Sequence, residues 1–155
     1  MHTAGMRIPA ATAIAVVLLA TPALAGDYTN SRFGYSITYP DGLFTPQPEA
    51  ENGDGRHFLA QGGADLAVWG GYNALDQSPA DIAGETLANC TGAAAPYKLV
   101  KPTVVVVSCL TKDGVVYRKT YIRGDVLTSF ELTYPAADRA RWDAVIGKLS
   151  LAPAP

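Results

Sequence analysis

His57 is the one histidine after residue 2, so a hydrolytic triad or an imidazole-based metal site would have to work through it. A Ser-His-acid hydrolase needs a base within hydrogen-bond reach of a nucleophile, and an acid that orients the base. Asp54 is the acid nearest to His57 along the chain, but no Gly-x-Ser-x-Gly elbow is present. Ser108 falls inside an apolar run, where it is expected to pack rather than react. No catalytic residue is assigned from this pattern.

Cys90 and Cys109 are the two cysteines. Zinc takes four protein ligands, or three and a water, and two thiols with one histidine fall short of that. The acidic stretch Glu49, Glu51, Asn52 and Asp54 carries oxygen ligands of the kind a hard cation prefers. Its spacing is not that of a calcium loop, and Asn52-Gly-Asp-Gly55 reads as a flexible turn. No metal and no cofactor is expected, and no phosphate-cradling glycine loop of the Walker or Rossmann kind occurs. A pair of carboxylates for glycoside cleavage stays open with 14 acidic residues, because such a pair is defined by distance in space. Arg123-Gly-Asp125 matches an adhesion tripeptide but sits where a hairpin turn is required, and Asn89-Cys-Thr91 is a glycosylation acceptor that overlaps Cys90.

The compartment is read from residues 1–25. Arg7 precedes the apolar run Ala13 to Ala20, and Ala23-Leu24-Ala25 supplies the small-x-small site of a signal peptidase, which predicts cleavage between Ala25 and Gly26. A membrane span needs about 20 consecutive apolar residues, whereas this stretch is broken by Pro9, Thr12, Thr21 and Pro22. No cysteine follows the site and a single arginine makes no twin-arginine signal, so release into the periplasm or the medium is expected. In that oxidising setting two thiols in a small domain pair, and Cys90 with Cys109 is read as a disulfide.

Residues 26–155 have the length of one domain. The net charge is −2, and one unit more negative once Arg7 is removed. Without a polybasic patch neither nucleic-acid binding nor strong membrane binding has an electrostatic driving force.

Periodicity places the elements that must carry these residues. Phe33, Tyr35, Ile37 and Tyr39 recur at every second position, one buried strand face, and Pro40-Asp-Gly42 ends the strand. Further strands are expected over Arg56 to Gln61, Asp65 to Tyr72, Val115 to Ile122 and Val126 to Tyr134, with glycine-containing turns between them. Val104 to Leu110 is apolar on both faces, which predicts the middle of the sheet. Gly26 to Ser31 and Leu151 to Pro155 read as frayed ends, and Thr45 to Arg56 as the longest loop. Ser78-Pro-Ala-Asp81 opens a helix running to about Asn89. A second helix begins near Pro135 and lines Trp142, Val145, Ile146 and Leu149 along one stripe. The fold class is α+β, a mostly antiparallel sheet of about six strands with helices packed on its faces.

The opening Tyr28 to Phe44, the central strands and the closing Tyr134 to Ser150, with their aromatic, Tyr-Pro and terminal-helix positions, resemble exported bacterial proteins of the PsbP-like superfamily. The resemblance implies an antiparallel sheet between helical layers. It also implies a binding or stabilising role, since the superfamily ranges from a photosystem extrinsic subunit to a Ran-binding nuclear-import factor. The expected function is a non-enzymatic secreted or periplasmic module for an unknown envelope or secreted protein. Trp69, Tyr72 and the loop from Thr45 to Arg56 are its candidate contacts. The alternative is a small envelope hydrolase whose carboxylates converge only in the fold.

Overall fold

In the strand Tyr35–Pro40 the side chains of Tyr35, Ile37 and Tyr39 are buried and those between them are half-exposed, as the period of two requires. The computed structural model describes residues 25–153, so apart from Ala25 the expected export segment lies outside the described residues. Those residues form β1 (Ala25–Asn30), β2 (Tyr35–Pro40), β3 (Phe44–Glu49), β4 (Gly55–Ala60), β5 (Ala64–Tyr72), α1 (Pro79–Leu87), β6 (Tyr97–Lys101), β7 (Val104–Thr111), β8 (Gly114–Arg123), β9 (Val126–Tyr134), α2 (Arg139–Ile146) and β10 (Ser150–Pro153). A 3-10 turn, Ala136–Asp138, leads into α2.

Two antiparallel sheets result, one of three strands in the order β1-β2-β10 and one of seven in the order β3-β4-β5-β9-β8-β7-β6. The small sheet lies on the large one. Tyr28, Tyr35, Ile37, Tyr39 and Leu151 from the former share a core with Phe58, Leu66, Val68, Phe130 and Leu132 from the latter. Phe58 is the pivot of this core, meeting Tyr39 at 4.7 Å and Tyr28 at 5.9 Å between ring centroids. Gly70 lets the sheets close at their far end, because a Cβ there would lie 2.5 Å from the Phe33 side chain.

The described residues hold ten strands rather than about six, and the four extra ones have readable causes. Two prolines made β3 look like a loop, yet it is an edge strand, where a missing N–H is tolerated. β1 and β10 lie at the two ends of the described residues, and β2 pairs with them on its two sides. β1 hides its inward face because one of its two buried residues is the polar Asn30, which donates to Gly53 O at 2.9 Å and accepts from Phe33 N at 2.9 Å. β6 is a short edge strand of mixed polarity. The middle strand is β9, not β7, which lies one strand from the edge. β7 is apolar on both faces because α1 sets Ile82 and Ala83 on Val105 and Val107, while Val106 is buried on the other side.

Both helices are short, and the small sheet, rather than a layer of helices, covers the inner face of the large one. Ser78 caps α1 in a reciprocal capping box with Asp81, and the helix ends at Leu87. α1 packs mainly on β6 and β7 on the outer face, with Ile122 of β8 and Leu127 of β9 at the margin of its apolar cluster. α2 starts at Arg139 rather than near Pro135 and inserts Trp142 and Val145 into the core between the sheets. Cys90, just past α1, is bonded to Cys109 on β7, with their Cα atoms 5.7 Å apart.

Candidate functional site

Cross-strand register assembles a row of side chains on the outer face of the large sheet. His57 on β4 opposes Ala67 on β5, Ala67 opposes Glu131 on β9, Glu131 opposes Arg118 on β8, and Arg118 opposes Val107 on β7. Because side chains alternate, all five share one face. α1 covers Val107 and reaches the charged part of the row through Glu85, which stands 3.6 Å from Arg118.

Where the helix stops, a cleft of about 650 Å³ opens. Its floor includes Arg118 and Glu131. Thr86, Asn89 and Thr91 line it from α1 and the segment behind, and the turn from Thr111 to Gly114 lines it from the opposite edge. The Cys90–Cys109 bridge and the hydrogen bond from Thr91 N to Leu110 O, at 2.7 Å, tie the helical wall to β7.

The electrostatics of the floor are unbalanced. The Arg118 side chain is largely buried; its guanidinium lies over the Trp69 ring at 4.9 Å and one terminal nitrogen stands 3.6 Å from Glu85. Its Nε is buried without a hydrogen-bond partner. Glu131 makes no hydrogen bond or ion pair among the described residues, although Arg118 is its cross-strand neighbour. Burial pushes the Glu131 carboxyl above the usual carboxylate range, Arg118 and His57 pull it back in part, and Asp65 adds to the rise. A partly buried acid facing a cleft with no internal partner is equipped to hold a ligand group by hydrogen bond or charge.

The residues expected from sequence are distributed otherwise. His57 is exposed and pairs with Asp65, 2.9 Å across the β4–β5 hairpin, rather than with Asp54. Ser108 alternates with Val107 and Cys109, so it lies on the inner face, opposite to His57, and the two cannot form a nucleophile–base pair. The stretch from Thr45 to Arg56 is β3 and a tight turn: Glu49 accepts from the Tyr28 hydroxyl, Asp54 accepts from Asn52 at 2.7 Å, and Asp54 O accepts from Tyr35 at 2.9 Å. Those acids brace the loop, and among the described residues no group of three or more His, Cys, Asp or Glu converges on a common point. Trp69 and Tyr72 do not form one surface. Trp69 is half-buried on the outer face under Arg118, whereas Tyr72 is exposed on the inner side, its ring edge against Phe33 at 5.3 Å. In the tripeptide, Arg123 donates to Gly34 O at 3.2 Å and Gly124 takes the left-handed turn conformation.

Glu131 and Arg118 are the residues that motif reading passed over. Their only sequence signal is a charge placed at the outward phase of an otherwise apolar strand, Phe130-Glu-Leu132 for one and Val116-Tyr-Arg118 for the other.

Among solved structures, the solution structure of cyanobacterial PsbP (CyanoP) from Synechocystis sp. PCC 6803 superimposes with a TM-score of 0.52, covering 85% of this chain and 95% of that one. The fold is PsbP-like. At 13% identity the likeness is one of architecture, and the expectation drawn from the aromatic and terminal-helix positions holds at that level. No protein-family model and no curated protein matches the chain.

Proposed function

We propose that the domain is a non-catalytic binding module of an oxidising, extracytoplasmic compartment, holding a group of its ligand or partner in the cleft beside α1. The observation that carries this is Glu131, a partly buried acid on the floor of a cleft of about 650 Å³ with no partner of its own among the described residues. That volume lies in the usual range of ligand sites. A glycosidase-type mechanism needs a second carboxylate facing the first. The other acid lining this cleft, Asp113, is exposed at the rim and paired with Lys112 at 2.8 Å. Export is supported by the Cys90–Cys109 bridge and by the small-residue cleavage pattern at Ala23-Leu24-Ala25.

The test is an amide-shift titration of the isotopically labelled mature domain with size-fractionated envelope extract. Shifts grouped at Thr86, Thr91, Thr111 and Glu131 are expected. Shifts confined to Tyr72 and the loop after it would move the binding surface elsewhere. Turnover of an ester, peptide, glycoside or phosphate substrate that disappears in Glu131→Gln would replace the binding reading with an enzymatic one.

A further inference from the structure

Resting on the reading of the cleft as a binding site, we infer that its ligand group is an organic cation, a primary ammonium, with Glu131 as its counter-ion. The first reason is where the neighbouring cation is held. Arg118 opposes Glu131 across the β8–β9 ladder, yet its guanidinium is drawn to Glu85 and to the Trp69 ring. One terminal nitrogen serves Glu85, and the buried Nε faces no acceptor. Arg118 therefore leaves Glu131 without a direct partner.

The second reason is the balance of charge. Arg118 stands near both Glu131 and Glu85, and Asp65 adds a second carboxylate near Glu131 whose own partner, His57, is charged only when protonated. Lys112 and Asp113 at the rim neutralise each other. With Glu85 and Asp65 standing beside the floor, carboxylates outnumber Arg118 around Glu131 whenever Glu131 is ionised, and a positive group is what that surplus attracts.

The third reason is the set of acceptors. An ammonium has three donors and no acceptor. Thr91 Oγ1 already donates to Leu110 O at 3.2 Å, and Thr111 Oγ1 donates to Gly114 O and accepts from Asp113 N, both at 3.3 Å, so neither hydroxyl has a proton to offer and each keeps a lone pair free. Both residues line the cleft with Glu131. An anion would meet Glu131 and two oxygens that have no proton to give, while the cations of the lining, Arg118 and Lys112, are already held by Glu85 and Asp113. A neutral alkyl group would leave the acid unpaired.

A cation in contact with Glu131 requires the ionised carboxylate. Burial favours the protonated form in the free domain, with Arg118 and His57 opposing and Asp65 reinforcing, while Lys112 and Asp113 stand at the rim, Glu85 holds Arg118, and the Tyr134 hydroxyl is turned to the inner face, where it donates to Asp143. Binding should therefore weaken as the pH falls and Glu131 becomes protonated, and should release protons in mildly acidic buffer.

The experiment titrates the mature domain with four probes, read by amide shifts: Nα-acetyl-lysine N-methylamide, putrescine, the uncharged Nα-acetyl-norleucine N-methylamide and Nα-acetyl-glutamate N-methylamide. The ammonium probes should bind about tenfold more tightly than the norleucine compound, and Glu131→Gln should remove that advantage. Tighter binding of the lysine compound assigns the cation to a side chain of a protein partner, and tighter binding of putrescine to a free amine. The inference is overturned if the norleucine or glutamate compound occupies the cleft equally well, or if Glu131→Gln leaves ammonium binding unchanged. Should that variant not fold, the wild-type affinity at pH 7 against pH 4 decides instead, and an unchanged ammonium affinity overturns it. If all four probes leave the cleft amides unmoved, the binding-cleft reading itself fails.

Discussion

Arg118 is stacked on Trp69, its guanidinium carbon 4.9 Å from the ring centroid, on the sheet face that α1 reaches there through Glu85. The ring attracts the guanidinium, which makes no ion pair with Glu131 among the described residues. The contact is a cation–π interaction between partly buried groups, for which about 1 kcal/mol is typical. Trp69→Leu keeps an apolar side chain and removes the π face. Chemical denaturation should show a loss of about 1 kcal/mol, and carbon-detected titration of the Glu131 carboxyl should move downward as Arg118 becomes free to approach it. An unmoved Glu131 titration would show that Trp69 does not govern where the guanidinium lies.

Glu131 gives a pH signature of its own. Its proton affinity in the folded domain is raised by burial. A group with a raised folded value contributes stability below its unfolded pKa, about 4.3 for glutamate, and loses that contribution as pH rises through the folded value. Glutamine mimics the protonated acid at every pH. Glu131→Gln should therefore be more stable than the wild type at pH 7, with the gap closing as the pH falls below about 4. Denaturation midpoints at the two pH values measure this, and a wild type that is the more stable at pH 7 contradicts it. A variant that gains stability while losing ammonium binding is the behaviour expected of a residue retained for a ligand.

What the sequence makes legible follows the physics of alternation. β2 and β5 announce themselves because each buries every second residue, and β8 and β9 because large residues of the inner core, Val115, Tyr117 and Tyr121 in one and Phe130, Leu132 and Tyr134 in the other, share one phase. The α1 start is legible because capping is local: Ser78, Pro79 and Asp81 act within one turn. β7 was misplaced to the centre because an apolar outer face records that something covers a strand, not whether it is a neighbouring layer or one short helix. β1, β3 and β10 escape because they form only when β2 or β4 is already in place. The site escapes for the same reason. His57, Ala67, Glu131 and Arg118 lie on four strands, and only the register between strands puts them in one row.

The Cys90–Cys109 bridge should contribute to the cleft as well as to the fold. It spans a sequence separation of 19 residues, and closing a loop of that order stabilises a domain by about 3 kcal/mol in the chain-entropy account. The bridge also anchors the wall that carries Thr91. In Cys90→Ser/Cys109→Ser the loss of stability should be accompanied by faster hydrogen exchange at the Thr91 amide, which donates to Leu110 O. Exchange at core amides such as those of β9 should rise only as far as the global loss dictates. Equal stability of the two proteins, or a Thr91 amide as protected as before, would separate the bridge from the cleft.

Trp142 is the largest side chain by which the short α2 is held. It is fully buried, with its ring centroid 5.9 Å from that of Phe44 and 6.3 Å from that of Tyr134. Trp142→Ala should cost about 3 to 5 kcal/mol, because a cavity is left between two sheets that cannot collapse independently. The indole Nε1 makes the comparison with phenylalanine informative, since it is buried without a hydrogen-bond partner. Trp142→Phe gives up part of the packing volume but also removes an unsatisfied donor, whose desolvation costs about 1 to 3 kcal/mol. Those contributions oppose each other, so the phenylalanine variant should lie much closer to wild type than the volume change alone implies. Urea denaturation of the three proteins measures the order. If phenylalanine proves as damaging as alanine, the indole N–H has a partner in solution, and a bound water beside Phe44 and Tyr134 becomes the place to look for it.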